Sequence, residues 1–245
     1  VGSVLAAVLL VVGTFQFVDV LAHEEHDLTW VVTEPVTTLD VRHAGSGSVH
    51  VIGAPVDVVT IDARVSDGLR ATAYDHRVVG DVLELTASCP NFGSTWCRVD
   101  YVVEVPHDTV VRIHADESTR VDNVTADVEV RSDGSIEVSG LAGTTLLASD
   151  NGSVRAVGLR SEVVDARSSN GSVRVSTDVA PRSVVARSDN GSVEVLVPRT
   201  DDHYAVDAGS RNGRTTNEVV TDPAAERRLT ARSDNGSVRV AYNEA

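Results

Sequence analysis

The sequence predicts an all-β chain: a β-solenoid of single-stranded repeats, β-helix-like in architecture, behind an N-terminal transmembrane helix. Three observations carry this expectation. Val supplies 48 of the 245 positions, and a side chain branched at Cβ favours strands over helices. From about Leu39 onward, short runs alternate apolar and polar residues, as in Val128-Glu129-Val130 and Val173-Arg174-Val175, with no amphipathic helical pattern between them. A unit of the form Ser-Asp-Asn-Gly-Ser-Val-x-Val recurs at a drifting period near 20 residues, which marks stacked supersecondary units.

Residues 1–22 form the first element. Val1 to Val18 carry no charge, and as a helix they would run about 27 Å, close to the hydrocarbon thickness of a bilayer. The segment reads as a transmembrane anchor or as a signal sequence, with Val20 and Ala22 at the spacing of a cleavage site ahead of His23. The acidic flank at Asp19 and His23 to Asp27, with no basic residue before Arg42, places the following chain outside the cytoplasm. Residues 23–38 read as a juxtamembrane linker.

The domain proper spans 39–245, with a capping part at 39–106 and regular repeats at 107–245. The cap holds longer strands between Ile61 and Val105, a turn at Asp67-Gly68 and the two cysteines of the chain, Cys89 and Cys97. Pro90, Asn91 and Gly93 lie between them as turn formers. A pair closing one loop outside the cytoplasm reads as a disulfide. Two free thiols, or half of a metal site completed by His76 and His107, are the competing readings.

In the repeats the turn residues are Gly134, Asn151-Gly152, Asn170-Gly171, Asn190-Gly191, Asn212-Gly213 and Asn235-Gly236, with glycine intervals of 18, 19, 20, 22 and 23. Asn-Gly suggests a turn at positive φ, which fits either a hairpin meander, each strand pairing with the one before its turn, or a solenoid, each pairing with its counterpart one repeat away. Strand pairing between repeats would align Ser132, Ser149, Ser168, Ser188, Ser210 and Ser233 as a corner ladder. It would also set a column of arginines beside the turn aspartates, with Arg211 between Asp189 and Asp234.

Charge narrows the function. Thirty-six acidic residues face 21 basic ones, all Arg, for a net charge of −15, which disfavours nucleic acid as a partner. No GxSxG, HExxH, Walker or dinucleotide motif is present, and Ser is concentrated in turns rather than beside a base. No catalytic residue, cofactor or metal site is therefore expected. The spacing of a calcium loop is absent as well.

The run Arg77-Val-Val-Gly-Asp-Val-Leu-Glu-Leu85, the Cys89 to Cys97 loop followed by Val99-Asp-Tyr-Val-Val-Glu-Val-Pro106, and the serial Gly-Ser-Val-x-Val units carry a resemblance. From roughly Leu39 to its end, the chain resembles the bacterial putative-adhesin β-strand-repeat family of actinobacterial type, a domain of unknown function. The resemblance implies an extracytoplasmic β-solenoid behind one anchor helix and supplies no catalytic residues. The expectation is a non-enzymatic surface binding module in the bacterial cell membrane, its domain facing outside. Its partners would be the membrane through the helix and a cell-wall component or a protein. An envelope signalling or scaffold protein acting with a membrane partner, and a polysaccharide-active β-helix enzyme, are the alternatives.

Overall fold

The computed structural model describes residues 23–68, 71–89, 96–201 and 203–243. The expected transmembrane helix lies outside these residues; among those described, no helix is long and apolar enough to cross a membrane.

Strands account for the ordered structure. In chain order they are β1 (Glu24–Val32), β2 (Thr38–Ala44), β3 (Val49–Ala54), β4 (Val59–Asp67), β5 (Ala73–Val79), β6 (Val82–Ser88) and β7 (Arg98–Pro106). Next come β8 (Val110–Ala115), β9 (Thr119–Asp122), β10 (Val128–Ser132), β11 (Ile136–Ser139), β12 (Thr145–Ser149), β13 (Val154–Leu159) and β14 (Val163–Ser168). The last are β15 (Val173–Thr177), β16 (Ser183–Ser188), β17 (Val193–Val197), β18 (Tyr204–Ser210), β19 (Thr215–Asn217), β20 (Arg227–Ser233) and β21 (Val238–Tyr242).

They form two mixed sheets. The first runs β1-β4-β7-β3-β9-β11-β13-β15-β17-β21-β19, the second β18-β20-β16-β14-β12-β10-β8-β2-β6-β5. Each repeat gives one strand to each sheet, joined by the Ser-Asp-Asn-Gly turn, and the strands pair in parallel with their counterparts one repeat away. The pairing explains the sequence columns. Val128, Thr145, Val164, Val184 and Leu229 lie side by side in the second sheet, and Ile136, Val154, Val173, Val193 and Val238 in the first. All ten are buried, and the apolar ones join one continuous core. Small β-branched residues suit it because every inward position has a like-sized neighbour above and below.

At one end the parallel order gives way to antiparallel pairs, β1 with β4, β4 with β7 and β5 with β6. Residues 24–32, read from sequence as linker, belong to this end as strand β1. Leu28 and Trp30 pack half-buried against the core and Val32 is buried, an alternation that the neighbouring charges mask. Trp30 meets His76 and Tyr74 of β5 at ring distances of 4.8 and 6.1 Å.

Chain order and spatial order part company at both ends of the array. The rung β2–β3 sits between β6–β7 and β8–β9, and the rung β20–β21 sits between β16–β17 and β18–β19. Each of these rungs therefore has both edges paired, and the sheet ends fall instead on β18 and β19 at one end and on β1 and β5 at the other. The expected place of Arg211 is corrected by this exchange. Asp234 follows Asp189 directly, and Arg211 lies beyond it, with Nη1 3.1 Å from Asp234 Oδ2. On the outermost rung, Val206 and Ala208 are only half-buried.

Candidate functional site

The repeat turns build one edge of the molecule. Ser149, Ser168, Ser188 and Ser233 are buried, and each Oγ donates to a glycine carbonyl on the neighbouring turn, those of Gly134, Gly152, Gly171 and Gly191, at 2.8 Å. Ser210 does the same to Gly236 at 2.7 Å. The Ser149 and Ser168 hydroxyls also accept from the amides of Gly152 and Gly171 in their own turns. In the same column His43 takes the serine's place, and its Nε2–H donates to the Val99 carbonyl at 2.7 Å. The bond to a carbonyl fixes that tautomer.

The turn glycines serve a purpose other than the expected one. None has φ in the left-handed region; among the described glycines, positive φ occurs at Gly45, Gly47, Gly80, Gly140 and Gly158. What requires glycine at the turn is proximity. A Cβ on Gly171 would stand 2.2 Å from the Gly152 oxygen, one on Gly191 2.4 Å from the Gly171 oxygen, and one on Gly236 2.2 Å from the Gly191 oxygen. Gly152 and Gly213 lie equally close to Gly134 and Gly236, and Gly134 to the backbone at Glu117.

Outside the glycines runs an asparagine ladder. Asn170 Nδ2 donates to Asn151 Oδ1 and Asn190 Nδ2 to Asn170 Oδ1, both at 3.1 Å. Asn235 Nδ2 donates to Asn190 Oδ1 and Asn212 Nδ2 to Asn235 Oδ1, both at 2.9 Å. The sequence reading missed this ladder, although the recurrence of Asn at one turn position was its signal.

Charged residues form columns on the two outer faces, and the faces differ. On the first sheet Arg120, Glu137, Arg155, Arg174, Glu194 and Arg239 stand in register. They pair across rungs: Glu137 with Arg120 and Arg155, Glu194 with Arg174 and Arg239. On the second sheet Arg42, His114, Arg131, Ala148, Arg167, Arg187 and Arg232 stand in register. The pairing there differs from the expected Arg–Asp turn columns. Arg131 pairs with Glu129 and Arg167 with Asp165 of the same strand, and Arg232 with Asp207 next door. A residue two positions away in a strand lies on the same face, within reach of a long guanidinium, and of the turn aspartates Asp234 pairs with Arg211. Arg187 has Val185 in that position, and Leu146 beside Ala148 leaves an apolar notch between two ion pairs.

Two further groups complete the inventory. Asp122 is buried and accepts from Ser139 Oγ at 2.5 Å, Arg120 Nε at 2.7 Å and His50 Nε2 at 2.8 Å. Burial pushes its carboxyl up, but these donors outweigh it and hold the group below its ordinary value. Ser139 and His50 address the same carboxylate rather than each other, so the arrangement lacks the nucleophile-to-base contact of a hydrolase. At the cap, Cys89 and Cys97 are joined by a disulfide, with Thr72 Oγ1 3.2 Å from Cys97 Sγ. That removes the metal-site alternative at this pair, and among the described residues no group of three or more His, Cys, Asp or Glu side chains could hold a metal ion.

Fold and surface together define an all-β stacked-repeat protein whose polar side chains are engaged in ladders and ion pairs along its length. No family model matches the chain, and no curated protein matches it. Among solved structures it is similar to a putative adhesin from Bacteroides fragilis NCTC 9343, with a TM-score of 0.52 at 12% identity over 90% of this chain and 97% of that one. A putative cell adhesion protein from Clostridium sporogenes ATCC 15579 aligns over 90% of this chain and 100% of that one, at 10% identity and a TM-score of 0.38. The first likeness shows a shared fold.

Proposed function

We propose that the chain is a non-catalytic, adhesin-like binding module of a bacterial envelope, a β-solenoid of the actinobacterial type held outside the membrane by its N-terminal segment. The observation that carries the reading is the arginine column on the second sheet. Its guanidiniums are exposed, on successive rungs, roughly 5 Å apart, from Arg167 through Arg187 to Arg232, and two rungs apart across His114 and Ala148, where Arg42, Arg131 and Arg167 border open surface hollows. Such a surface suits many weak contacts summed along an extended partner. Arg131, Arg167 and Arg232 are already paired with carboxylates, and Arg187 has Val185 in the position of the partner. On a chain of net charge −15 the face therefore offers a cell-wall component or a protein guanidiniums interleaved with carboxylates rather than a basic patch.

The fold shared with the Bacteroides fragilis protein supports the adhesin part of this reading. Between His107 and His203 there is no Phe, Trp or Tyr, which argues against sugar stacking along that stretch of the repeats. The test is binding of the chain lacking residues 1–22 to isolated cell envelopes at low and high salt. Binding that weakens as salt rises supports the reading. Turnover of a glycan or ester, abolished by one Asp or His substitution, overturns it in favour of an enzyme.

A further inference from the structure

Five turns carry Asn-Gly, at Asn151, Asn170, Asn190, Asn212 and Asn235, and this dipeptide has its own chemistry. The glycine amide nitrogen, having given its proton to hydroxide, attacks the asparagine Cγ. A C–N bond forms, the Cγ–Nδ2 bond breaks, and the nitrogen leaves as ammonia after taking a proton from water. Water then opens the cyclic imide at either carbonyl, leaving an aspartyl or an isoaspartyl residue. The net change is one water consumed, one ammonium ion released and one carboxylate gained. Glycine favours the reaction because no side chain hinders the attack.

Here the fold requires glycine at that position, since a Cβ would strike the neighbouring turn, and so the labile dipeptide is built into each Asn-Gly rung. The same stacking restrains it. The Nδ2 groups of Asn170, Asn190 and Asn235 each donate twice, to the next asparagine and to a backbone carbonyl, those of Asp150, Ser169 and Asp189. Their Oδ1 atoms each accept from the asparagine of the following rung. Asn151 accepts from Asn170, and its Gly152 amide is held by Ser149 Oγ. Asn212 is different. It lies on the outermost rung, in a run from Arg211 to Thr215 that is exposed throughout, and its side chain, like that of Asn151, makes one bond, here to Asn235.

We propose that Asn212-Gly213 is a site of spontaneous deamidation, and that the asparagine ladder protects Asn170, Asn190 and Asn235 from the same reaction. The product sets a carboxylate between Arg211 and Arg214 and removes the last donor of the ladder. Reaching the attack geometry needs a local opening, and openings are cheapest at the end of an array.

The experiment incubates the full folded chain in mildly alkaline buffer, in parallel with the chain in concentrated urea with its disulfide intact. Each site is followed by peptide mass spectrometry that separates isoaspartate. In the folded protein Asn212 is expected to convert at least about ten-fold faster than Asn170, Asn190 and Asn235, and in urea that spread is expected to collapse to within about three-fold. Equal rates in the folded chain, or an inner asparagine leading, overturn the proposal. The variant Asn190→Ser removes the 2.9 Å acceptor of Asn235 and is expected to accelerate Asn235 while leaving Asn151 unchanged. An unchanged Asn235, or equal acceleration at Asn151, overturns the protective role of the ladder.

Discussion

The carbonyl oxygen of Gly171 occupies the space that a side chain on Gly191 would need, 2.4 Å from the position of its Cβ. Because Gly191 is outside the left-handed region, the penalty for Gly191→Ala is steric and falls on two rungs at once. We expect a loss of about 1–3 kcal/mol, read as a lower urea midpoint. Gly80 provides the contrast, with φ of 68° and nothing within 4 Å of an added Cβ; Gly80→Ala should cost about 1–2 kcal/mol from backbone conformation alone.

The serine column predicts a second loss. Ser188→Ala removes the donor to the Gly171 carbonyl in a buried corner and should cost about 1–2 kcal/mol in denaturant titration. Ser192, which is exposed after the turn, should tolerate alanine within about 0.5 kcal/mol.

Asp122 makes stability depend on pH. Its folded value lies below the ordinary 3.8, so its stabilisation is complete above that value and disappears as pH falls through the lower, folded one. Asp122→Asn should therefore destabilise the chain at pH 7, and the gap to the wild type should close as pH drops below about 4. Asp100, held by Arg98 and Ser48, shifts in the same direction and remains in the variant. Urea unfolding at neutral and at acid pH reads the difference.

Replacing Cys89 and Cys97 together by Ser should cost about 2–3 kcal/mol, the loop-closure entropy of a short link. The loss should be confined to the cap. Hydrogen exchange is expected to accelerate in β5, β6 and β7 while the strands from β10 to β17 keep their protection.

The repeats were legible because a fixed period leaves a column for every structural role. Val128, Val164 and Val184, Ser149, Ser168 and Ser188, and Gly152, Gly171 and Gly191 each recur at one place in the unit, and each column has one job. The reason for the glycines was misread, since Asn-Gly suggests a left-handed turn and only the spacing of adjacent rungs reveals a steric demand. Nothing local marks β20–β21 as inserted inside β18–β19, for the exchanged rungs have the same pattern as their neighbours. The Asp122 cluster gathers His50, Arg120 and Ser139 from three adjacent strands, and no motif links residues so far apart in the chain. Strand β1 was hidden because its polar positions are all charged or His at the start, which resembles a solvated linker.

The account stands most directly on binding through the arginine-bearing face. The decisive measurement compares three forms of the chain lacking residues 1–22 for binding to envelopes isolated from the producing organism. They are the wild type, a variant with Arg131, Arg167, Arg187 and Arg232 changed to Glu, and a control with Arg120, Arg155, Arg174 and Arg239 changed to Glu. The account predicts that the first variant loses at least about ten-fold in affinity, as expected when several charged contacts are reversed, while the folded control stays within about three-fold of the wild type. Equal loss in both variants, or wild-type binding indifferent to salt and to the first set of substitutions, would contradict it.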